Sequence, residues 1–182
     1  MTRDYIYRMM HLNLKTIPSS LESILERQVG YKKSLTAIRD FNIQKDWPKL
    51  VFIMNKAFED TPDFFDENEG ILRADESKES FSKMKIFIAI IKNIEVGFIA
   101  ILPKINDDGS KKATISLMAV IPELRRQKIG TILAMYSYDW LIKEKIFDLY
   151  ALVGEDNIAS YHFMKTLGFK ECDREIIQGN SC

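Results

Sequence analysis

The feature that most constrains this chain is a change of period at Pro122. Before it, three short runs rich in β-branched residues, at 86–91, 95–102 and 112–120, are separated by the turn signals Lys92-Asn93 and Asn106-Asp107-Asp108-Gly109. Runs joined in this way make an antiparallel meander, and Gly97 marks a bulge within the second. After Pro122, apolar residues at Ile129, Ile132, Leu133, Tyr136 and Trp140 recur at helical spacing to about Lys145. A strand at 146–153 follows, then a helix capped by Asn157 that runs to Leu167 and stops at Gly168. Phe169 and Ile176-Ile177 supply final strand material. A meander followed by helix, strand and helix implies an α/β fold, with a mixed, mainly antiparallel sheet flanked by helices.

Upstream of the meander, Leu35, Ala37 and Ile38 mark a first strand, and Asp46 with Pro48 marks a helix start. Trp47, Leu50, Val51, Met54, Ala57 and Phe58 keep helical spacing to about Glu59. Residues 60–84 are polar and acidic, with short helical pieces expected at 63–72 and 77–84. Residues 1–33 stand apart from this pattern and read as an N-terminal extension, helical in part, ahead of a main domain at 34–182. Within the extension, Ser19-Ser20-Leu21-Glu22 has capping-box spacing with Ser19 as the cap. Leu21, Ile24, Leu25 and Val29 share one helical face, and Gly30 is placed to stop the helix.

Composition narrows the function classes. A length of 182 residues fits one domain, and a 46% hydrophobic share supplies a core without disulfide staples. Two cysteines, Cys172 and Cys182, read as free thiols of a reducing, cytoplasmic compartment. No run of about 18 apolar residues is present, so no membrane partner is expected. With 26 basic and 26 acidic side chains the formal net charge is zero, which disfavours nucleic acid as a partner. No spacing of His, Cys, Asp and Glu suggests a metal site.

The chemistry sits in the stretch Val120-Ile121-Pro122-Glu123-Leu124-Arg125-Arg126-Gln127-Lys128-Ile129-Gly130-Thr131, which joins a strand to an amphipathic helix. The first amides of a helix have no internal partner and carry the positive end of its dipole, so an anion there meets several donors at once. Arg125, Arg126 and Lys128 crowd the end where the dipole disfavours cations. A polyphosphate among them would resolve that conflict; a solvated basic turn is the plainer alternative. Gly130 leaves room for a close approach.

The stretch resembles the GNAT acyltransferase superfamily, whose hallmark is Val-x-Pro-x-x-Arg-x-x-Gly-x-Gly between strand and helix. Val120, Pro122, Arg125 and Gly130 match it. The second hallmark, Asn-x-x-Ala/Ser with Gly-Phe eight residues after its last position, is matched by Asn157, Ser160, Gly168 and Phe169. The resemblance covers about residues 34–177 and implies acetyl-CoA as co-substrate with no metal. It implies that backbone groups of the strand Met118, Ala119 and Val120 meet the pantetheine arm, in a slot made where the following strand splays away. Arg125, Arg126, Gln127, Lys128, Ile129, Gly130 and Thr131 would hold the pyrophosphate, and Asn157 with Ser160 would help position CoA.

Two positions depart from the family pattern. Lys128 replaces the first glycine of the turn, where its ammonium is expected to pair with phosphate. Met164 stands where many members carry the tyrosine that protonates the departing thiolate, and a thioether has no proton to donate. Tyr161, three residues earlier, is the substitute candidate, with packing against the core as its plainer role. Direct transfer through a ternary complex is what the resemblance implies, and Cys172 and Cys182 are badly placed for a cysteine relay. Glu59, Asp60 and Asp63 lie in the expected acceptor-side loop and Glu155 follows the second splayed strand; none is singled out as a base. The implied function is acetyl-CoA-dependent N-acetylation of a small-molecule or protein amine, by a monomer or homodimer. Two other readings stand beside it: a non-catalytic acyl-CoA-binding module, and an interaction domain that uses the Leu21–Val29 face.

Overall fold

The computed structural model describes residues 4–59 and 79–178. Strand β1 (Asp4–Asn13) leads through a 3₁₀ turn to helix α1 (Ser19–Val29), the short α2 (Lys32–Leu35), strand β2 (Ala37–Asp40) and α3 (Ile43–Phe58). The meander β3 (Lys85–Ile91), β4 (Ile94–Ile105) and β5 (Lys111–Val120) follows. Then come α4 (Ile129–Lys143), β6 (Asp148–Gly154), α5 (Ile158–Thr166) and β7 (Lys170–Gln178). The seven strands form one sheet in the order β2-β3-β4-β5-β6-β1-β7. Every neighbouring pair is antiparallel except β5 and β6.

The largest departure from the sequence reading lies at the N-terminus. Residues 4–13, set apart there as extension, form a strand between β6 and β7. Met10 and Leu12 are buried in the core while Met9 and His11 take the opposite face, the alternation of a strand. The expected capping box at Ser19 does not form: Pro18 is the N-cap of α1 and no side chain caps it. Gly30 does end that helix, at φ 44°. Leu35 belongs to a helical turn rather than to β2.

Helix α3 starts earlier than Asp46 and Pro48 suggested, because Asn42 is its cap and accepts from the amides of Gln44 and Lys45. The expected bulge at Gly97 sits one residue away: Ala89 pairs with Gly97 and Ile90 with Glu95, so Val96 is the extra residue. A Cβ at Gly97 would lie 2.7 Å from the Ala119 carbonyl oxygen, so only glycine permits this approach of β4 to β5. The piece expected at 63–72 lies outside the described residues; residues 79–82 are helical.

Two clusters cover the two faces of the sheet. On one, α3 lays Leu50, Ile53 and Met54 over Ile88, Phe98 and Ala100. On the other, Ile129, Leu133, Tyr138 and Leu141 of α4 pack with Met10, Leu12, Ile115, Leu149 and Ala151, joined by Leu25 of α1 and Met164 of α5. Burial of such side chains contributes roughly 1.5–3 kcal/mol each before the entropy of ordering is set against it. Among the described residues no helix is long and apolar enough to cross a membrane.

Candidate active site

A break in strand pairing makes the site. β5 and β6 run parallel from Lys112–Asp148 to Ile115–Ala151, and their register ends there although both strands continue. The break coincides with a bulge: Ile115 pairs with Ile101 and Leu117 with Ala100, leaving Ser116 as the extra residue. A bulge bends the strand that carries it, so β5 follows β4 while β6 goes with β1. The gap that opens is the expected splay.

The backbone of β5 supplies donors to this gap. Ile121 donates to the Val96 carbonyl at 2.9 Å, which fixes the hydrogen-bonding parity of the β4–β5 pair. By alternation, the polar backbone groups of Met118 and Val120 then point away from β4, toward the gap. The side chain of Ala119 is buried beneath α3.

Beyond Val120 the chain makes a 3₁₀ turn at Pro122–Leu124 and enters α4 through two left-handed residues, Arg126 at φ 63° and Lys128 at φ 67°. Lys128 is the N-cap, and no side chain caps the helix. Arg125 donates to the Pro122 carbonyl and Ile132 to that of Lys128, whereas the amides of residues 126–131 meet no acceptor among the described residues. A row of unpaired N–H groups at the positive end of a 15-residue helix is an anion cradle.

The side chains around this cradle divide by role. The Arg125 guanidinium is engaged by backbone carbonyls: it donates through Nη2 to that of Ala57 at 2.6 Å and through Nε to that of Val120 at 3.2 Å. It ties the turn to the C-terminal end of α3, where a cation is favoured. Arg126 is exposed. The Lys128 ammonium donates to Gln28 at 3.1 Å, and Lys32 donates to Gln127 at 3.3 Å, so α1 and α2 both touch the turn. Space beside Gly130 is taken by the Phe163 ring, 3.0 Å from where a Cβ would stand. Its glycine thus serves the packing of α5 on α4 as well as access. Thr131 and Ile129 are buried.

Asn157 caps α5, its Oδ1 accepting from the Ser160 amide at 3.0 Å. Tyr161 packs beneath the Arg8 guanidinium of β1, 4.9 Å from the ring centroid. β1 lies beyond β6, so this contact holds Tyr161 on the side of β6 away from the gap. Met164 is buried in the core. Glu155 is engaged by Arg174 at 2.9 Å. Glu59 is exposed, and Asp60 and Asp63 lie outside the described residues.

One polar group was missed in the sequence. On the face opposite α4, Tyr150 is the last paired residue of β6 below the gap to point that way, with Thr114 as its partner on β5. His11 of β1 stacks on Tyr150 at 4.6 Å, and its Nε2 lies 2.9 Å from Asp148 Oδ1, to which Asn13 also donates at 3.0 Å. Burial, then the Asp148 charge and Cys172, raises the Tyr150 pKa, so its phenol keeps its proton. The signal was available: Tyr7, Met9 and His11 alternate with Ile6, Met10 and Leu12, the period of a strand.

The profile of the acetyltransferase (GNAT) family matches residues 47–169. The chain belongs to the GNAT acetyltransferase family. No curated protein sequence matches it. Among solved structures, this GNAT chain is similar to a functionally unknown conserved protein from Staphylococcus epidermidis, with TM-score 0.68 and 11% identity over 99% of this chain and 64% of that one. An aminoglycoside N-acetyltransferase in complex with CoA gives TM-score 0.63 and 18% identity, over 81% of this chain and 95% of that one. A tandem GNAT protein from the clavulanic acid biosynthesis pathway gives 0.67 and 11%, over 98% of this chain and 55% of that one. The chain spans 64% and 52% of the length of two structures that it matches over 99% of itself. These likenesses carry the mixed sheet with its flanking helices.

Proposed function

We propose that this GNAT protein transfers the acetyl group of acetyl-CoA directly to an amine. The observation that carries the reading is the alignment of two features on one strand. The unpaired amides 126–131 stand at the end of β5 whose neighbour has just parted from it. A pyrophosphate on amides 127–131 sends the pantetheine arm down the gap, along the backbone groups of Met118 and Val120. Arg126 and Lys128 supply countercharge, Lys128 exchanging Gln28 for a phosphate oxygen. Arg125 holds the turn in shape, and Asn157 with Ser160 fixes the start of α5 beside it.

The acceptor approaches from the face opposite α4, where Tyr150, His11 and Asp148 lie at the foot of the gap. The neutral amine attacks the thioester carbon, whose oxygen gains charge next to the N–H of Met118 or Val120. The carbon–nitrogen bond forms as the carbon–sulfur bond breaks, CoA leaves as thiolate, and the proton that the amine gives up passes through water to the thiolate. Tyr161→Phe tests whether that hydroxyl protonates the thiolate: the expected outcome is activity within about threefold of wild type, since the ring is committed to Arg8.

A second reading, an acyl-CoA-binding module of little activity, draws on the buried Met164 at the position of the family's acid. Calorimetry with acetyl-CoA, followed by thiol release on a panel of polyamines, aminoglycosides and lysine peptides, separates the two. Binding with amine-dependent thiol release supports transfer. Binding without release supports the module, and no binding removes both.

A further inference from the structure

A cavity of about 350 Å³ lies between α1 and α4, and none of residues 118–131 lines it. Its walls are apolar: Leu25 and Val29 from α1, Ile132, Met135 and Ile142 from α4, and Ile38 from β2. At roughly 30 Å³ per water-sized group, it has room for about ten non-hydrogen atoms. Small-ligand sites begin near this volume.

Charge decides what suits it. Glu22, Glu26 and Asp139 border the cavity, and Lys33 is the one cation among its lining residues. Lys33 is already held by Glu26 at 2.9 Å. Among the described residues no ion pair involves Glu22 or Asp139. Tyr136 adds an aromatic wall, its ring set edge-on to Phe87 at 5.0 Å and 42% exposed. Carboxylates and an aromatic ring around an apolar hollow suit a cation with a hydrocarbon body. A neutral guest would leave the two carboxylates without use, and an anion would be repelled by them.

We propose that this cavity is a binding site for a small primary ammonium ion with an aromatic or aliphatic body, separate from the acyl-transfer gap. The hydrocarbon body fills the space between Leu25, Val29 and Met135, and the ammonium sits at the edge between Glu22 and Asp139.

The test uses the full chain and three probes of matched shape: 2-phenylethylammonium, 2-phenylethanol and 3-phenylpropionate, followed by calorimetry and by NMR shifts. The ammonium is expected to bind at least about tenfold more tightly than the alcohol, and the acid not to bind. Glu22→Gln with Asp139→Asn, both on exposed residues, should bring ammonium and alcohol within about twofold of each other. Met135→Trp, which fills the hollow, should abolish binding of both. Equal affinity for ammonium and alcohol in the wild type overturns the proposal, as does no binding at concentrations up to about 10 mM. Ammonium binding that survives both sets of substitutions belongs to the acceptor face and overturns it too. If Met135→Trp does not fold, the charge-removing pair decides alone.

Discussion

Helices α3 and α4 enter the sheet in opposite ways. α3 is closed at its start: Asn42 accepts from two amides, and the buried Asp46 accepts from the Asn42 amide at 2.8 Å and from Arg39. Negative and hydrogen-bond-accepting groups meet the positive end of the helix, as stability alone would arrange. α4 is left open: no side-chain cap, two non-glycine residues in the left-handed region, cations at the positive end and, among the described residues, a row of amides without acceptors. Left-handed backbone costs about 1–2 kcal/mol for each such residue. The same chain therefore knows how to finish a helix start and does not finish this one. A start built against its own stability is what the proposed pyrophosphate site would call for.

The sharpest way to break the contrast is to block the open start. Gly130→Trp should lower acetyl-CoA affinity by at least about 100-fold, which is about 2.7 kcal/mol. Lys128→Glu, exposed and free of the packing against Phe163, should lower it about tenfold. Circular dichroism before calorimetry checks that both variants fold. Retained affinity in both would mean that the amide row is not the anion site.

The closed start should answer in stability and not in binding. Asp46→Ala should destabilise the protein by about 1–2 kcal/mol in denaturant melts, since Arg39 is partly solvated and much of the interaction is screened. Acetyl-CoA affinity should stay within about twofold. The Arg39 guanidinium, joined by the Asn42 amide, holds the Asp46 carboxyl below the ordinary carboxylate range against the opposing effect of burial. Because the folded value is lowered, this contribution is fully present above the ordinary value of about 3.9 and is lost as pH falls through the folded one. Melts of wild type and Asp46→Asn should therefore converge on acidification below about pH 4, and a constant difference down to pH 2 would remove the pair from the account.

The smallest effect expected is the most discriminating. Lys128→Gly relieves one left-handed residue, so the free protein should gain about 1 kcal/mol. Acetyl-CoA affinity should fall a few-fold as one countercharge is lost. A gain in both would show that the lysine is only strain.

Much of this was legible in the sequence. The Asn-Asp-Asp-Gly turn, the stop at Gly168 and the start of α4 at Ile129 were read from local chemistry, because turns and caps depend on residues a few positions apart. The turn itself was found for the same reason: its glycine, its cations and its place between strand and helix are contiguous. Contacts between distant residues were not legible. Nothing near Arg125 announces that its guanidinium reaches Ala57, and nothing near Gly130 announces the Phe163 ring. Asn42 caps α3 six residues ahead of Pro48, which lies inside the helix and so marks its start only loosely.

The sequence by itself determined which stretches are strands and helices from β3 onward, since periodicity and helix-end chemistry are local. Only the tertiary structure decided that β1 runs between β6 and β7 and brings His11 onto Tyr150. The parting of β6 from β5, expected from resemblance alone, was placed there too, at a bulge on Ser116. Strand neighbours are chosen by burial and hydrogen bonding across the whole sheet, and partners such as His11 and Asp148 are 137 positions apart. No window along the chain contains both members of such a pair.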